Sequence, residues 1–169
     1  MTTSGKVNLL TSDGTTAQCG LMDEYQVGGC RFKYVKCGAS VALTAYTCCT
    51  ISAAGLVVMA TTTTVGTAAR PTGICIPQFA VAVDEYFWAP IGPFGTATPY
   101  NVNGSPVTFK VLAANAATSV RLYTTATDGV LDDAVTTGNI AGLALTETVT
   151  TQEAADCVAV QRLVSFCEL

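Results

Sequence analysis

Val41-Ala-Leu-Thr-Ala-Tyr-Thr-Cys-Cys-Thr-Ile-Ser-Ala-Ala-Gly-Leu-Val-Val-Met-Ala60 lies inside a longer run, residues 38–69, that holds no charged residue. As a helix, a stretch of that length would span a bilayer. Its residue order argues for strands instead. Val41, Leu43, Ala45, Cys49 and Ile51 share one parity, while Thr44, Tyr46, Thr50 and Ser52 share the other. Apolar residues at period two, several of them β-branched, describe a pleated surface with a wetter face and a drier one. Ser52-Ala-Ala-Gly55 supplies a turn, so residues 41–51 and 56–60 are predicted as a hairpin, and no membrane span is expected.

Strand signals continue on both sides of this hairpin. Residues 31–36 alternate basic with apolar side chains, which reads as a strand with one wet face. Residues 74–76 form a short strand bounded by Pro71-Thr-Gly73 and Pro77. Residues 79–88 are predicted as the longest strand, with Phe79, Val81, Val83 and Phe87 on one side and Tyr86 and Trp88 on the other. A proline- and glycine-rich loop is expected over 89–100. Further strands are predicted at 107–112, 120–124, 130–131, 139–146 and 157–166, with a polar loop at 147–156 in which residues 152–156 form one helical turn. Short strands at this spacing predict an all-β fold, a small antiparallel β-barrel or sandwich.

The first 28 residues carry little pattern. Glycines punctuate Thr/Ser-rich stretches around one apolar plug, Val7, Leu9 and Leu10. Residues 1–28 are read as an extended N-terminal arm and 29–169 as the β-body. Fully stretched, such an arm would reach about 90 Å, against a radius of gyration of ~15 Å for a compact body of this length. It could lie across a neighbouring subunit, and a frayed tail is the alternative. Residues 1–7 contain no apolar h-region, so no secretory leader is expected.

Composition narrows the functional classes. Charged residues make up 12% of the 169-residue chain, about half the globular norm. Thr supplies polarity without charge, and such a surface meets a neighbour with little repulsion or ionic desolvation. The net charge is −4 and the eight basic residues are scattered, which argues against nucleic acid as a partner because phosphate binding needs clustered Lys and Arg. Histidine is absent, which removes the most versatile general base and metal ligand. No catalytic residues, cofactor or metal are expected, and the chain is not read as an enzyme.

The eight cysteines, at 19, 30, 37, 48, 49, 75, 157 and 167, include no C-x-x-C spacing. They are read as small buried hydrophobes in a reducing cytoplasm, and disulfides formed in a particle exposed to air stay open as the alternative. On a strand, Cys48 and Cys49 would face opposite ways. Asp128, Asp132 and Asp133 lack the register of a calcium loop and are read as turn residues. Tyr86, Phe87, Trp88 and Phe94 concentrate aromatic area. Core packing is one reading of them, and partner contact through Trp88 and Phe94 is the other.

Two stretches carry a resemblance. Gly73-Ile-Cys-Ile-Pro77, running on to Val83-Asp-Glu-Tyr-Phe-Trp-Ala-Pro-Ile-Gly-Pro-Phe-Gly95, resembles tailed-phage head proteins in which a strand ending in Tyr-Phe-Trp precedes a glycine loop. Arg121-Leu-Tyr-Thr-Thr-Ala-Thr-Asp-Gly-Val-Leu131, with Asn139-Ile-Ala-Gly-Leu-Ala144, is similar to the same group, the capsid decoration (cement) proteins. The resemblance implies a virion protein on the capsid exterior, assembled in the bacterial host cytoplasm. It would be a trimer bridging neighbouring major capsid subunits, with Val7, Leu9, Leu10, Trp88 and Phe94 as contact residues. The cysteines and the polar arm depart from the group. Another virion part, such as a head-fibre base, a tail or neck adaptor or the shell subunit, is the alternative.

Overall fold

The computed structural model describes residues 7–27, 30–38, 40–61, 73–92, 100–102, 105–107, 109–119, 121–134 and 139–159. Among them the only regular elements are thirteen strands: β1 (Glu24–Val27), β2 (Cys30–Cys37), β3 (Cys49–Ile51), β4 (Leu56–Met59), β5 (Gly73–Cys75), β6 (Tyr86–Gly92), β7 (Tyr100–Val102), β8 (Ser105–Val107), β9 (Lys110–Ala113), β10 (Arg121–Thr124), β11 (Leu131–Asp132), β12 (Asn139–Leu145) and β13 (Glu153–Ala159). The all-β expectation holds. The strands build two curled sheets plus the separate β7–β8 hairpin.

The first sheet is organised by β2. One of its edges pairs antiparallel with β6, from Arg31 opposite Gly92 to Lys36 opposite Tyr86. The other edge is shared. β1 covers its first half, Cys30 to Lys33, and β4 runs parallel to its end at Lys36 and Cys37. From β4 the sheet continues to β3 and β5, and the amide of Ile76 then donates to the carbonyl of Pro90 at 3.4 Å, bringing the far edge back to β6. The second sheet is a five-stranded barrel in the order β10-β11-β9-β13-β12, with β12 returning to β10.

The chargeless run makes sense once both faces of the first sheet are followed. Val35, Cys37, Cys49, Ile51, Val57, Cys75, Phe87 and Ala89 point into the curl of that sheet and form one core with Leu43 and Val81. Phe32, Tyr34, Cys48, Ile74, Ile76 and Trp88 point the other way and join Phe109, Val111, Leu122, Leu131, Leu143, Leu145 and Cys157 of the barrel in a second core. Where both faces are covered, as over Cys49–Ile51, no charge is tolerated and alternation is weak. Cys48 and Cys49 fall into different cores, as opposite-facing neighbours should.

Several expected boundaries move. Residues 41–51 are not one strand. Leu43 makes an isolated bridge to Val81, Tyr46 takes a φ of +68°, and the strand proper begins at Cys49. The hairpin itself stands, and its turn is closed by Gly55 N–H to Ser52 O at 3.0 Å, with Gly55 at φ +76°. The strand predicted over 79–88 starts only at Tyr86, because the chain turns at Asp84 with φ +66°. It then runs on through Ala89-Pro90-Ile91-Gly92, which was expected to be loop. Pro90 fits there because the even-numbered residues of β6 turn their backbone groups away from β2, Tyr86 N–H donating to Gly14 O and Pro90 O accepting from Ile76, so the ladder with β2 needs no amide from Pro90. β13 begins at Glu153, so the predicted helical turn over 152–156 is strand: residues 153–156 pair with β9 and tertiary pairing overrides local preference. β2–β4 and β9–β11 are parallel, a departure from a purely antiparallel design.

Most of the expected arm is docked on the body. Met22 N–H donates to Tyr34 O, Tyr34 N–H to Asp23 O, Asp13 N–H to Tyr86 O and Tyr86 N–H to Gly14 O, at 2.7–2.9 Å. β1 then adds a strand to the sheet. Asp13, Gly14, Met22, Asp23 and β1 are thus tied to the body by backbone hydrogen bonds. Residues 1–6 lie outside the described residues, as do 62–72 and 93–99.

Candidate interaction surface

Three of the five predicted contact residues belong to the docked N-terminal segment. Val7 and Leu9 are half-buried against the larger core, while Leu10 keeps 44% of its surface. Asn8 shapes this corner by accepting the Leu10 amide on Oδ1 at 3.1 Å. Trp88, the fourth, is 2% exposed and packs between Tyr34 and Tyr25, with ring centroids 5.1 and 5.8 Å away. It is a core residue in this chain and offers no outward contact. Its indole N–H is buried and has no acceptor among the described residues. Phe94, the fifth, lies outside the described residues.

Tyr34 ties this aromatic row to the N-terminal segment. Its ring is fully buried and stacks on Tyr86 at 5.9 Å, and its hydroxyl accepts the Gln18 amide at 2.9 Å. Burial, with a hydrogen bond to the Asp13 carboxylate adding to it, pushes the phenol up to about 12.

The exposed large apolar side chains were not singled out from sequence. Besides Leu10 they are Leu21, Tyr25, Val41, Leu56 and Val58. Leu56 and Val58 alternate with buried Val57 on β4, so they share its outer side. Leu21 stands beside the same hairpin turn: a Cβ on Gly55 would lie 3.5 Å from its side chain. At the end of this strip Val58 Cγ1 closes on Gly38, 3.0 Å from where a Cβ would stand. The signal available in the sequence was Leu-Val-Val-Met at a strand edge, which reads equally well as core.

Most of the charge around this surface is engaged in ion pairs. Glu24 bridges Arg31 at 2.9 Å and Lys33 at 3.5 Å, Lys36 meets Asp84 at 2.6 Å and Lys110 meets Asp156 at 3.6 Å. Burial of Glu24 works against ionisation, yet the Arg31 hydrogen bond and the two cations hold its carboxyl below the usual range. The Asp84 hydrogen bond holds the Lys36 ammonium above its usual value. The three cations of the basic cluster therefore share two carboxylates, which leaves little net charge to attract a polyanion.

The groups with reactive chemistry are turned inward or used structurally. Burial pushes up the thiols of Cys37, Cys48, Cys75 and Cys157, the last to about 12, and a protonated buried thiol is a poor nucleophile. Asp133 accepts the Ala117 amide and Asp132 the Ala134 amide, both at 3.0 Å, so these two carboxylates serve turns. Glu85 caps the Ala82 amide at 3.1 Å. Among the described residues no cluster of three metal-ligating side chains occurs and no helix is long and apolar enough to cross a membrane. The chain matches no protein-family model, no curated protein and no solved structure.

Proposed function

We propose that this chain is a non-catalytic structural protein that coats the outside of a tailed-phage capsid. As a trimer it bridges neighbouring major capsid subunits and stabilises the shell. The observation that carries the proposal is the exposed apolar pair Leu56 and Val58 on one side of β4, with exposed Leu21 beside the turn that precedes the strand. Such a strip favours lying on another protein, and aliphatic contacts there cost no ionic desolvation. The resemblance of residues 73–95 and 121–144 to decoration proteins adds support and supplies the partner.

The physics required is mass action. A protein that binds the assembled shell but not dissociated subunits stabilises the shell by RT ln(1 + [L]/Kd) at each site. Engagement through several linked protomers slows release further. Heads made with and without this chain are to be heated side by side while genome release is followed with a DNA dye. Rupture at a lower temperature without the chain is expected. Equal rupture temperatures at full occupancy would contradict the proposal, and a small ring of copies per particle would point instead to a tail or neck component.

A further inference from the structure

Cys49 and Cys75 are direct partners across the antiparallel β3–β5 pair, and both are fully buried in the core inside the first sheet. The type of pairing follows from the neighbouring bonds. Ser52 N–H donates to Leu56 O and Ala60 N–H to Cys48 O, so the backbone groups of even-numbered residues on β3 face β4. Those of Cys49 therefore face β5, which makes Cys49–Cys75 a hydrogen-bonded pair. Facing residues of that kind have Cα atoms about 5.5 Å apart, inside the range that a disulfide spans. The Cys49 thiol donates to Thr47 O at 3.5 Å, a contact within its own strand end that it gives up on bridging. The other thiol in this core, Cys37, sits on β2, separated from β3 by β4, and its Sγ is engaged with the carbonyls of Gly38 and Val41.

From this geometry we infer that Cys49 and Cys75 are a reversible redox pair, free thiols when the protein folds under reducing conditions and a cross-strand disulfide once a disulfide oxidant acts on it. The Cys49 thiolate attacks one sulfur of a small-molecule disulfide such as oxidised glutathione, forming a mixed disulfide and releasing one thiolate. The deprotonated Cys75 sulfur then displaces the second. The protein gives up two electrons and two protons, and the oxidant leaves as two thiols. Closing the bridge draws the Cβ atoms together by roughly 1 Å from their ordinary facing distance. The bridge ties β5 to β3 around a loop of roughly 25 residues, which restricts the unfolded chain.

The test is refolding of the full chain in a glutathione redox buffer, where burial does not shield the sulfurs, followed by alkylation and peptide mapping. The expected result is a Cys49–Cys75 linked peptide, with a Tm about 5–10 °C above that of the fully reduced protein and reversal by dithiothreitol. Cys75→Ala, mapped in parallel, should lose the link and the oxidative shift in Tm while keeping the reduced fold. Complete alkylation of both cysteines in the oxidised wild-type sample, or a link to another cysteine in their place, would overturn the inference without needing any variant to fold.

Discussion

The side-chain amide of Gln78 forms a two-way pair with the backbone of Lys110, accepting its N–H at 3.0 Å and donating to its carbonyl at 3.1 Å. The same Nε2 donates to Ile76 O at 2.9 Å. One glutamine therefore clasps the end of β5 to the start of β9 and holds the first sheet against the barrel. Leu112 N–H to Tyr46 O and Cys48 N–H to Gly129 O, at 2.8 and 2.9 Å, lie along the same junction. Gln78→Ala leaves a part-buried donor and acceptor on Lys110 without these partners, so a loss of about 2–3 kcal/mol is expected. Gln78→Glu keeps the acceptor but turns the donor into a carboxylate facing two carbonyls, and should cost at least as much at neutral pH. Urea denaturation midpoints read both.

Gly129 meets the first sheet at the same junction. It sits at φ +70°, and a Cβ there would lie 2.5 Å from Thr47 Cβ. Gly14 has a similar φ of +77° with nothing within 4 Å. Gly14→Ala therefore carries only the left-handed cost of ~1 kcal/mol, whereas Gly129→Ala adds a collision with a side chain at its root and should cost roughly 3 kcal/mol or more. Comparable values for the two would mean that the junction is looser than described.

Stability should be lost in alkali. The folded values of Tyr34 and Cys157 are raised to about 12 from ordinary values of 10.0 and 9.0, and those of Cys48 and Cys75 are raised well above 9.0. Above pH 9 the unfolded chain releases protons that the native chain retains, so the unfolded state gains. The stabilisation is complete below pH 9 and is lost as pH rises through 10 towards 12. Tm in reducing buffer should be level from pH 7 to about 8.5 and fall beyond it. Tyr34→Phe should flatten the part of the fall above pH 10, while losing about 1 kcal/mol at pH 7 through the unpaired Gln18 amide.

The lone tryptophan separates a core role from a contact role. With Trp88 buried, its emission should be blue-shifted relative to the unfolded chain and little quenched by iodide, and it should stay unchanged when the protein binds a shell. A strong binding-induced change would return Trp88 to the interface.

Leu56→Asp and Val58→Asp probe the outer side of β4. Both positions are about two-fifths exposed, so stability should move by about 1 kcal/mol or less. If the strip lies on the shell, either charge should weaken uptake at least tenfold, about 1.4 kcal/mol.

Patterns with strong local chemistry were legible in the sequence. The Arg31-Phe-Lys-Tyr alternation, the Ser52–Gly55 turn and the Thr127-Asp-Gly129 turn each specify their own geometry, and together they identify an all-β chain. What failed was set by distant partners. Glu153-Ala-Ala-Asp reads locally as a helical turn and becomes strand only because Lys110–Ala113 lies beside it. Pro90 reads as a break and is accommodated because its missing amide faces away from β2, opposite Phe32. The doubling into two sheets was hidden because β3, β5 and β11 are two or three residues long and too short to show a period. Trp88 is covered and Leu56 exposed for a related reason. Parity places a side chain on a face of a strand, but only the packing of the second sheet decides which face is covered.

Sedimentation of the purified chain with phage heads that lack it measures the proposed association most directly. Saturable uptake, many copies per shell and suppression by Leu56→Asp are expected. A chain that stays in the supernatant as a monomer at every shell concentration would contradict it.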